Sequence, residues 1–397
     1  MAERAGTKSV IIEKNEAAAA ATRAAARDSD SGIAILAAAM ALPGVALAEN
    51  APEQGLIGLK YLYYKDYQPG LDRIHVSSPS LYVLTPVGRD WSLEGSIVRD
   101  AVSGPSPRYH SAISSASRME DERNAGDLRL TRYFRRAAVG FGLAYSTEDD
   151  YESRALSFDV RMSSDDNNTA IVLGAGYSDD TIKPNDTGGG SVTSDEKKKV
   201  NDFIVGVTQV VTPRDIVQAN LTYSRGRGFF SDPYKFLDNR PRERNQTALL
   251  GRWNHFFAGP GATLRSSYRY YSDTFEVKAH TLGFEWVQPV RALTVTPSVR
   301  YHTQSSASFY VDPIPGSAFP PVVSLRPPYY SADHRLSAFG AITAGVKLAW
   351  AINKDWTIDA KFDYYEQRGD WRLGGSGSPG LDPFKAQFYQ VGIYRRF

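Results

Sequence analysis

The densest collection of chemically capable side chains lies in one polar stretch, DAVSGPSPRYHSAISSASRMEDER, residues 100–123. It holds Asp100, Arg108, Tyr109, His110, Arg118, Glu120, Asp121, Glu122 and Arg123. The acidic run Glu148-Asp149-Asp150 falls in the next polar loop. If the two loops lie side by side, His110, Asp121, Glu122, Asp149 and Asp150 are candidate ligands for a divalent cation, because hard carboxylate oxygens with one imidazole suit such an ion. The plainer reading of the same residues is a salt-bridged plug or a solvated loop.

A second group is charged at every other position of otherwise apolar runs. Glu94, Asp127, Arg129, Asp159 and Arg161 oppose apolar residues in the first half of the chain. Arg265, Arg269, Glu285 and Arg300 do so further on, and Lys347, Asp359, Lys361 and Asp363 near the end. If the apolar faces point to lipid, these thirteen residues line a lumen. Charges there can tune an aqueous pore, or pair across strands and close it. Enzyme chemistry has less support. A membrane hydrolase needs a nucleophile, a histidine and an orienting group, and no spacing singles out such a set. The chain has no cysteine, which removes disulfides, thiolate nucleophiles, a lipoprotein anchor and covalent haem. No resident cofactor is expected beyond the candidate cation.

The elements that would hold these residues are strands. From Gly55 onward the chain alternates turns and polar loops with period-two runs of roughly 9–14 residues, the length of a tilted membrane strand. Leu156, Phe158, Val160 and Met162 alternate with Ser157, Asp159 and Arg161; Trp356, Ile358, Ala360, Phe362 and Tyr364 alternate with Thr357, Asp359, Lys361 and Asp363. About sixteen such runs can be laid out, an even number as closed antiparallel barrels require. Short turns follow the even-numbered runs; the other connections are longer, with the Asp273–Glu276 hairpin the clear exception. One set of strand ends is rich in tyrosine and the other in Trp and Phe, as two interfacial aromatic belts would be. Mean hydropathy is −0.37, too polar for a helical membrane bundle but compatible with strands that show lipid only alternate residues. A net charge of +2 gives no reason to expect nucleic acid as a partner.

Gly32–Ala48 reads GIAILAAAMALPGVALA, a short apolar run ending in a small-x-small pattern. It is below the roughly 20 residues of a spanning helix and reads as a secretory signal cleaved after Ala48. Residues 1–48 are therefore expected to be leader, and 49–397 the mature domain. The final run, FKAQFYQVGIYRRF, places Tyr389, Val391, Ile393 and Phe397 on one face. It resembles the closing strand of Gram-negative outer-membrane barrels, in which class the terminal aromatic residue, here Phe397, is read by the barrel assembly machinery. An ordinary edge strand of a soluble β domain is the alternative.

The stretch 100–123, together with YSTEDDYESRALSFDVR (residues 145–161), the Ala-Leu-Pro-Gly signal and the Asn-Ala-Pro-Glu start, resembles a bacterial family known as domain of unknown function 3570. The resemblance implies an exported all-β transmembrane antiparallel barrel with short periplasmic turns and long extracellular loops. It supplies no catalytic residues. It also implies a periplasmic or extracellular flavin-linked redox partner, as some relatives are encoded beside a flavin transferase. The expectation is a porin-like channel or transporter for a small polar solute or ion in the outer membrane. The alternatives are a scaffold for that redox partner and a membrane-embedded hydrolase.

Overall fold

The computed structural model describes residues 50–105, 118–184, 194–233, 238–312 and 328–397. The leader 1–48 and His110 lie outside the described residues. The first eight strands are β1 (Leu56–Gln68), β2 (Leu71–Val87), β3 (Trp91–Pro105), β4 (Arg118–Phe134), β5 (Ala137–Thr147), β6 (Tyr151–Ser163), β7 (Thr169–Ile182) and β8 (Glu196–Thr212). The second eight are β9 (Asp215–Gly228), β10 (Glu243–Phe257), β11 (Ala262–Asp273), β12 (Lys278–Val290), β13 (Leu293–Gln304), β14 (Phe339–Ala351), β15 (Trp356–Arg368) and β16 (Phe384–Arg396). Each pairs antiparallel with its sequence neighbours, and β16 pairs with β1 to close a barrel.

Closure is made residue by residue. The β1–β16 register runs from Leu56↔Arg396 to Tyr67↔Lys385. At the end of the seam the Gly55 N–H donates to the Phe397 carbonyl at 2.8 Å, and the Phe397 N–H donates to the Gly55 carbonyl at 3.1 Å. The Phe397 ring packs over Gly55, where a Cβ would lie 2.5 Å from it and would push the ring aside. The closed ladder leaves no edge strand to be satisfied by water or by another chain.

The period-two pattern sets the two faces of the wall. Leu128 and Leu130 of β4, Phe141 and Leu143 of β5, Leu156 and Phe158 of β6, and their counterparts round the ring are exposed on the outside. A continuous belt of this size would be costly in water and is stable against hydrocarbon. The barrel is thus membrane-spanning, and its inside carries the polar residues.

Connections at one rim are short, at 88–90, 135–136, 164–168, 213–214, 258–261, 291–292 and 352–355. In the 164–168 turn, Asp166 accepts from Ser164 Oγ and from the Asn168 backbone and side-chain amides; these bonds hold its carboxyl down at about 2. Asn167 takes the positive φ of 55° that the turn needs. At the other rim, 229–242, 305–338 and 369–383 are long.

Three expectations about that long-loop rim are corrected. The stretch 100–123 is not one loop: β3 runs to Pro105 and β4 starts at Arg118, with a ladder from Asp100↔Arg123 to Pro105↔Arg118. Cross-strand ion pairs on both faces favour the extension, Arg99 with Glu122 at 2.7 Å and Asp100 with Arg123 at 2.5 Å. β1, which alternation alone places over Gly55–Tyr64, runs on to Gln68 and meets β2 through Pro69-Gly70, Gly70 supplying φ 72°. The β5–β6 connection is only 148–150, so the loop asymmetry is less regular than expected.

Leu143 sits near mid-height of β5 and is 51% exposed on the outer face. Leu143→Arg is expected to destabilise the protein by about 2–4 kcal/mol in urea titrations from lipid vesicles, the cost of a cation on a lipid-facing wall. A change below about 0.5 kcal/mol, as at an ordinary wet surface, would contradict the lipid-facing assignment.

Candidate functional site

Charges on the inner wall fall into patches with different balance. Across β4–β6 they are neutralised where they stand. The Arg129 guanidinium donates to Asp159, and both are buried. The pair spans the intervening β5, where a Cβ on Gly140 would lie 2.5 Å from Arg129 Nη2 and 2.7 Å from Asp159 Oδ1. Arg161 lies 4.0 Å from the same carboxylate. Glu94 is the register partner of Arg129, and Asp127 accepts from Ser96 Oγ. On β14–β15, Lys347 pairs with Asp359 at 3.2 Å, and Lys361 with Asp363 at 2.7 Å.

The wall formed by β10–β13 differs. It presents five inward arginines, Arg244, Arg252, Arg265, Arg269 and Arg300, against two inward carboxylates, Glu285 and Asp273, and Arg244 pairs with Asp273 at 2.7 Å at the long-loop end. Glu285 is held by Arg265 at 3.5 Å. Among the described residues, no carboxylate forms an ion pair with Arg252, Arg269 or Arg300. Arg252 Nη1 donates to Gln218 Oε1 at 3.4 Å, and Arg269 stacks 5.2 Å over the Tyr271 ring. Arg300 is exposed on the inner face.

Register arranges these groups in rows. Arg252, Ser267, Gly283 and Arg300 are successive partners across β10, β11, β12 and β13. The row continues through Thr343 of β14 to Tyr365 of β15. Arg269 stands in the row toward the long-loop rim, with Thr281 and His302; Arg265 and Glu285 stand in the row on the other side. Arg265, Arg269, Glu285 and Arg300 were foreseen from parity, whereas Arg252 was not. The signal was present: Arg252 adjoins the outward Trp253, so alternation turns it inward.

A folded cap closes over this wall at the long-loop rim. Phe230, Phe275, Val277, Ala307 and Leu336 form a small buried core, with Tyr271, Phe309 and Tyr310 against it. Because Tyr271 belongs to the inner face of β11, the cap lies on the lumen side. Its polar tie is Asp333, which takes Arg240 at 2.7 Å and also Arg335; Arg240 reaches Asp238 at 2.8 Å as well. Burial alone would lower the Arg240 pKa, but the carboxylates of Asp238 and Asp333 outweigh it and hold the guanidinium firmly charged.

A second tie runs down the wall. Gln304 Nε2 donates to the Arg335 and Ser337 carbonyls at 3.0 and 2.8 Å. Its Oε1 is therefore the acceptor from His302 Nε2 at 3.3 Å, which leaves His302 Nδ1 to accept from Thr281 Oγ1 at 2.8 Å. A hydroxyl, imidazole and amide in line resemble a hydrolase triad, but Thr281 is buried and the Gln304 amide is committed to the cap. The chain of bonds anchors the lid.

The expected cation ligands are placed as follows. Glu122 is occupied by Arg99. Asp121 is the register partner of Val102, and its side chain lies outside the described residues. Asp149 and Asp150 sit in the short β5–β6 connection, where the Asp150 carbonyl accepts from Lys183 N–H at 2.6 Å. Among the described residues no three His, Asp or Glu side chains gather as a metal site. Phe397 is exposed at the short-turn rim.

Residues 113–388 match the family described as "Protein of unknown function (DUF3570)", and the chain belongs to that family. The matched range includes the end of the 100–123 stretch and all of 145–161, but not the Asn-Ala-Pro-Glu start. No curated protein matches the chain. Among solved structures, CdiB from Acinetobacter baumannii is similar with TM-score 0.47 and 9% identity, over 85% of this chain. The chain spans only 60% of CdiB's length. A bacterial polysaccharide outer membrane secretin is similar with TM-score 0.48 and 9% identity, over 86% of this chain and 98% of that one. The siderophore receptor PirA from Pseudomonas aeruginosa has TM-score 0.43 and 8% identity, over 87% and 81% of the two chains.

Asp333→Ala strips the buried Arg240 of one of its two carboxylates and is expected to loosen the cap alone. Limited proteolysis should then cut within 229–242, while the unheated protein keeps its compact gel mobility. Wild-type protease resistance in this variant would show that the ion network does not hold the cap.

Proposed function

We propose that this DUF3570 member is a bacterial outer-membrane channel through whose lumen a small polar solute or ion passes. The observation that carries the reading is the division of one closed sixteen-strand wall into an exposed apolar outside and a charged inside. A hydrocarbon exterior requires every backbone group to be paired within the ring, and closure satisfies it. Part of the charged interior pairs across strands as framework, and the unpaired remainder suits a path through which ions or polar molecules move.

In this reading the short-turn rim faces the periplasm and the long-loop rim the exterior. Outer-membrane lipid covers the belt, and the assembly machinery reads the strand that ends at Phe397. The leader 1–48 exports the chain and is cleaved after Ala48. The capped β10–β13 wall lies on the conduction path. Hydrolysis is disfavoured by the buried Thr281 and the committed Gln304.

The purified protein reconstituted into planar bilayers is expected to give stepwise conductance. Silent bilayers from protein that retains heat-modifiable mobility would contradict a channel. Such bilayers, with a co-purifying flavoprotein or cytochrome, would make the barrel a scaffold for a redox partner.

A further inference from the structure

Several other described inner-wall charges are neutralised by a neighbour, though Asp202 of β8 is buried with no ion pair among the described residues. Arg129 has Asp159, Lys347 has Asp359, Lys361 has Asp363 and Arg265 has Glu285. Arg252, Arg269 and Arg300 stand apart from these pairs. Gathering three guanidinium groups on one wall with no carboxylate in ion-pair contact costs electrostatic energy. Such an arrangement opposes stability locally and is the kind of departure that marks a site rather than a framework.

The surroundings of Arg300 also leave room. Its row neighbours are Gly283 on β12 and Thr343 on β14, and the next inward residue of β13 toward the short-turn rim is Ser298. Ser267 stands between Gly283 and Arg252. Strands lie about 4.8 Å apart, so the Arg252 and Arg300 backbones are about 14 Å apart across a floor of one serine and one glycine. Two long side chains rooted at either edge of such a floor can both turn their planar forks onto one small anion between them.

The other flank is aromatic. Tyr365 is two strands from Arg300 in the same row, beyond Thr343. Its ring meets Phe384 edge to face at 5.8 Å, and Phe388 and Tyr64 lie tilted to one another at 4.8 Å in the neighbouring row. Side by side, these features are a pair of forks for a carboxylate, a shallow floor and an aromatic flank.

We propose that the inner wall at Arg252, Arg269 and Arg300 binds a small organic carboxylate, with its flat apolar part toward Tyr365. The proposal deepens the channel reading and rests on it for the site's purpose, but the binding itself can be measured without conduction. The cap above Arg269 and Tyr271 then covers a loaded site rather than an empty rim.

The test is calorimetric titration of the full-length protein in detergent with benzoate, acetate and inorganic phosphate. Benzoate is expected to bind, and to bind more tightly than acetate or phosphate. Arg300→Gln should weaken benzoate by about tenfold or more, the loss of a charge-assisted hydrogen bond. Arg300→Lys, which keeps the charge and loses the fork, should fall between. Tyr365→Ala should bring benzoate down to the acetate level. Arg252→Gln supplies a second variant if Arg300→Gln lacks heat-modifiable mobility. Benzoate binding unchanged in Arg252→Gln and Arg300→Gln, tighter binding of phosphate than benzoate, or no binding by the wild type would each overturn the proposal. Binding with silent bilayers would uphold this site and remove the channel; conductance without benzoate binding would do the reverse.

Discussion

The structure depends on one constraint: inside a bilayer, no backbone N–H or C=O can be left to water. The β1–β16 seam meets it. Twelve register pairs and the reciprocal Gly55–Phe397 bonds turn sixteen strands into a ring without an edge. Much else follows. Each strand must alternate, because one face meets hydrocarbon and the other the lumen. An inward charge that is paired then finds its partner within a few strands of the same wall. The absence of a side chain at Gly140, which lets Arg129 and Asp159 meet over β5, is one local consequence.

Much of this was legible in the sequence because alternation is local. Leu156, Phe158, Val160 and Met162 against Ser157, Asp159 and Arg161 fix both faces of β6 without knowledge of its neighbours. Strand number, closure and the inward turn of Arg265, Arg269 and Arg300 follow from the same pattern. What was not legible depends on pairing between distant segments. The outward extension of β3 and β4 is supported by Arg99 meeting Glu122 and Asp100 meeting Arg123, contacts that only the register creates. The cap draws Phe230, Phe275 and Leu336 from three separate connections, none apolar enough alone to announce a core. Arg252 is legible from the same alternation, since its neighbour Trp253 faces outward.

The inner wall separates two uses of charge. Arg129–Asp159 and Lys347–Asp359 are framework, since each ion is answered beside it and their removal would leave buried charge. The β10–β13 wall leaves guanidinium groups unanswered, beneath a cap fastened by Asp333 and by the Gln304–His302–Thr281 chain. The lid is thus tied to the same strands that carry the uncompensated charge.

The central claim, a closed wall with lipid outside and water inside, can be read directly because the chain has no cysteine of its own. Single cysteines can be placed along β12 and β13 in protein reconstituted into lipid vesicles, then exposed to a water-soluble, membrane-impermeant maleimide. Gly283→Cys, Ser298→Cys and Arg300→Cys should label, whereas Leu282→Cys, Phe284→Cys and Val299→Cys should not. Equal labelling of both sets, or labelling of the outward set alone, would contradict the account.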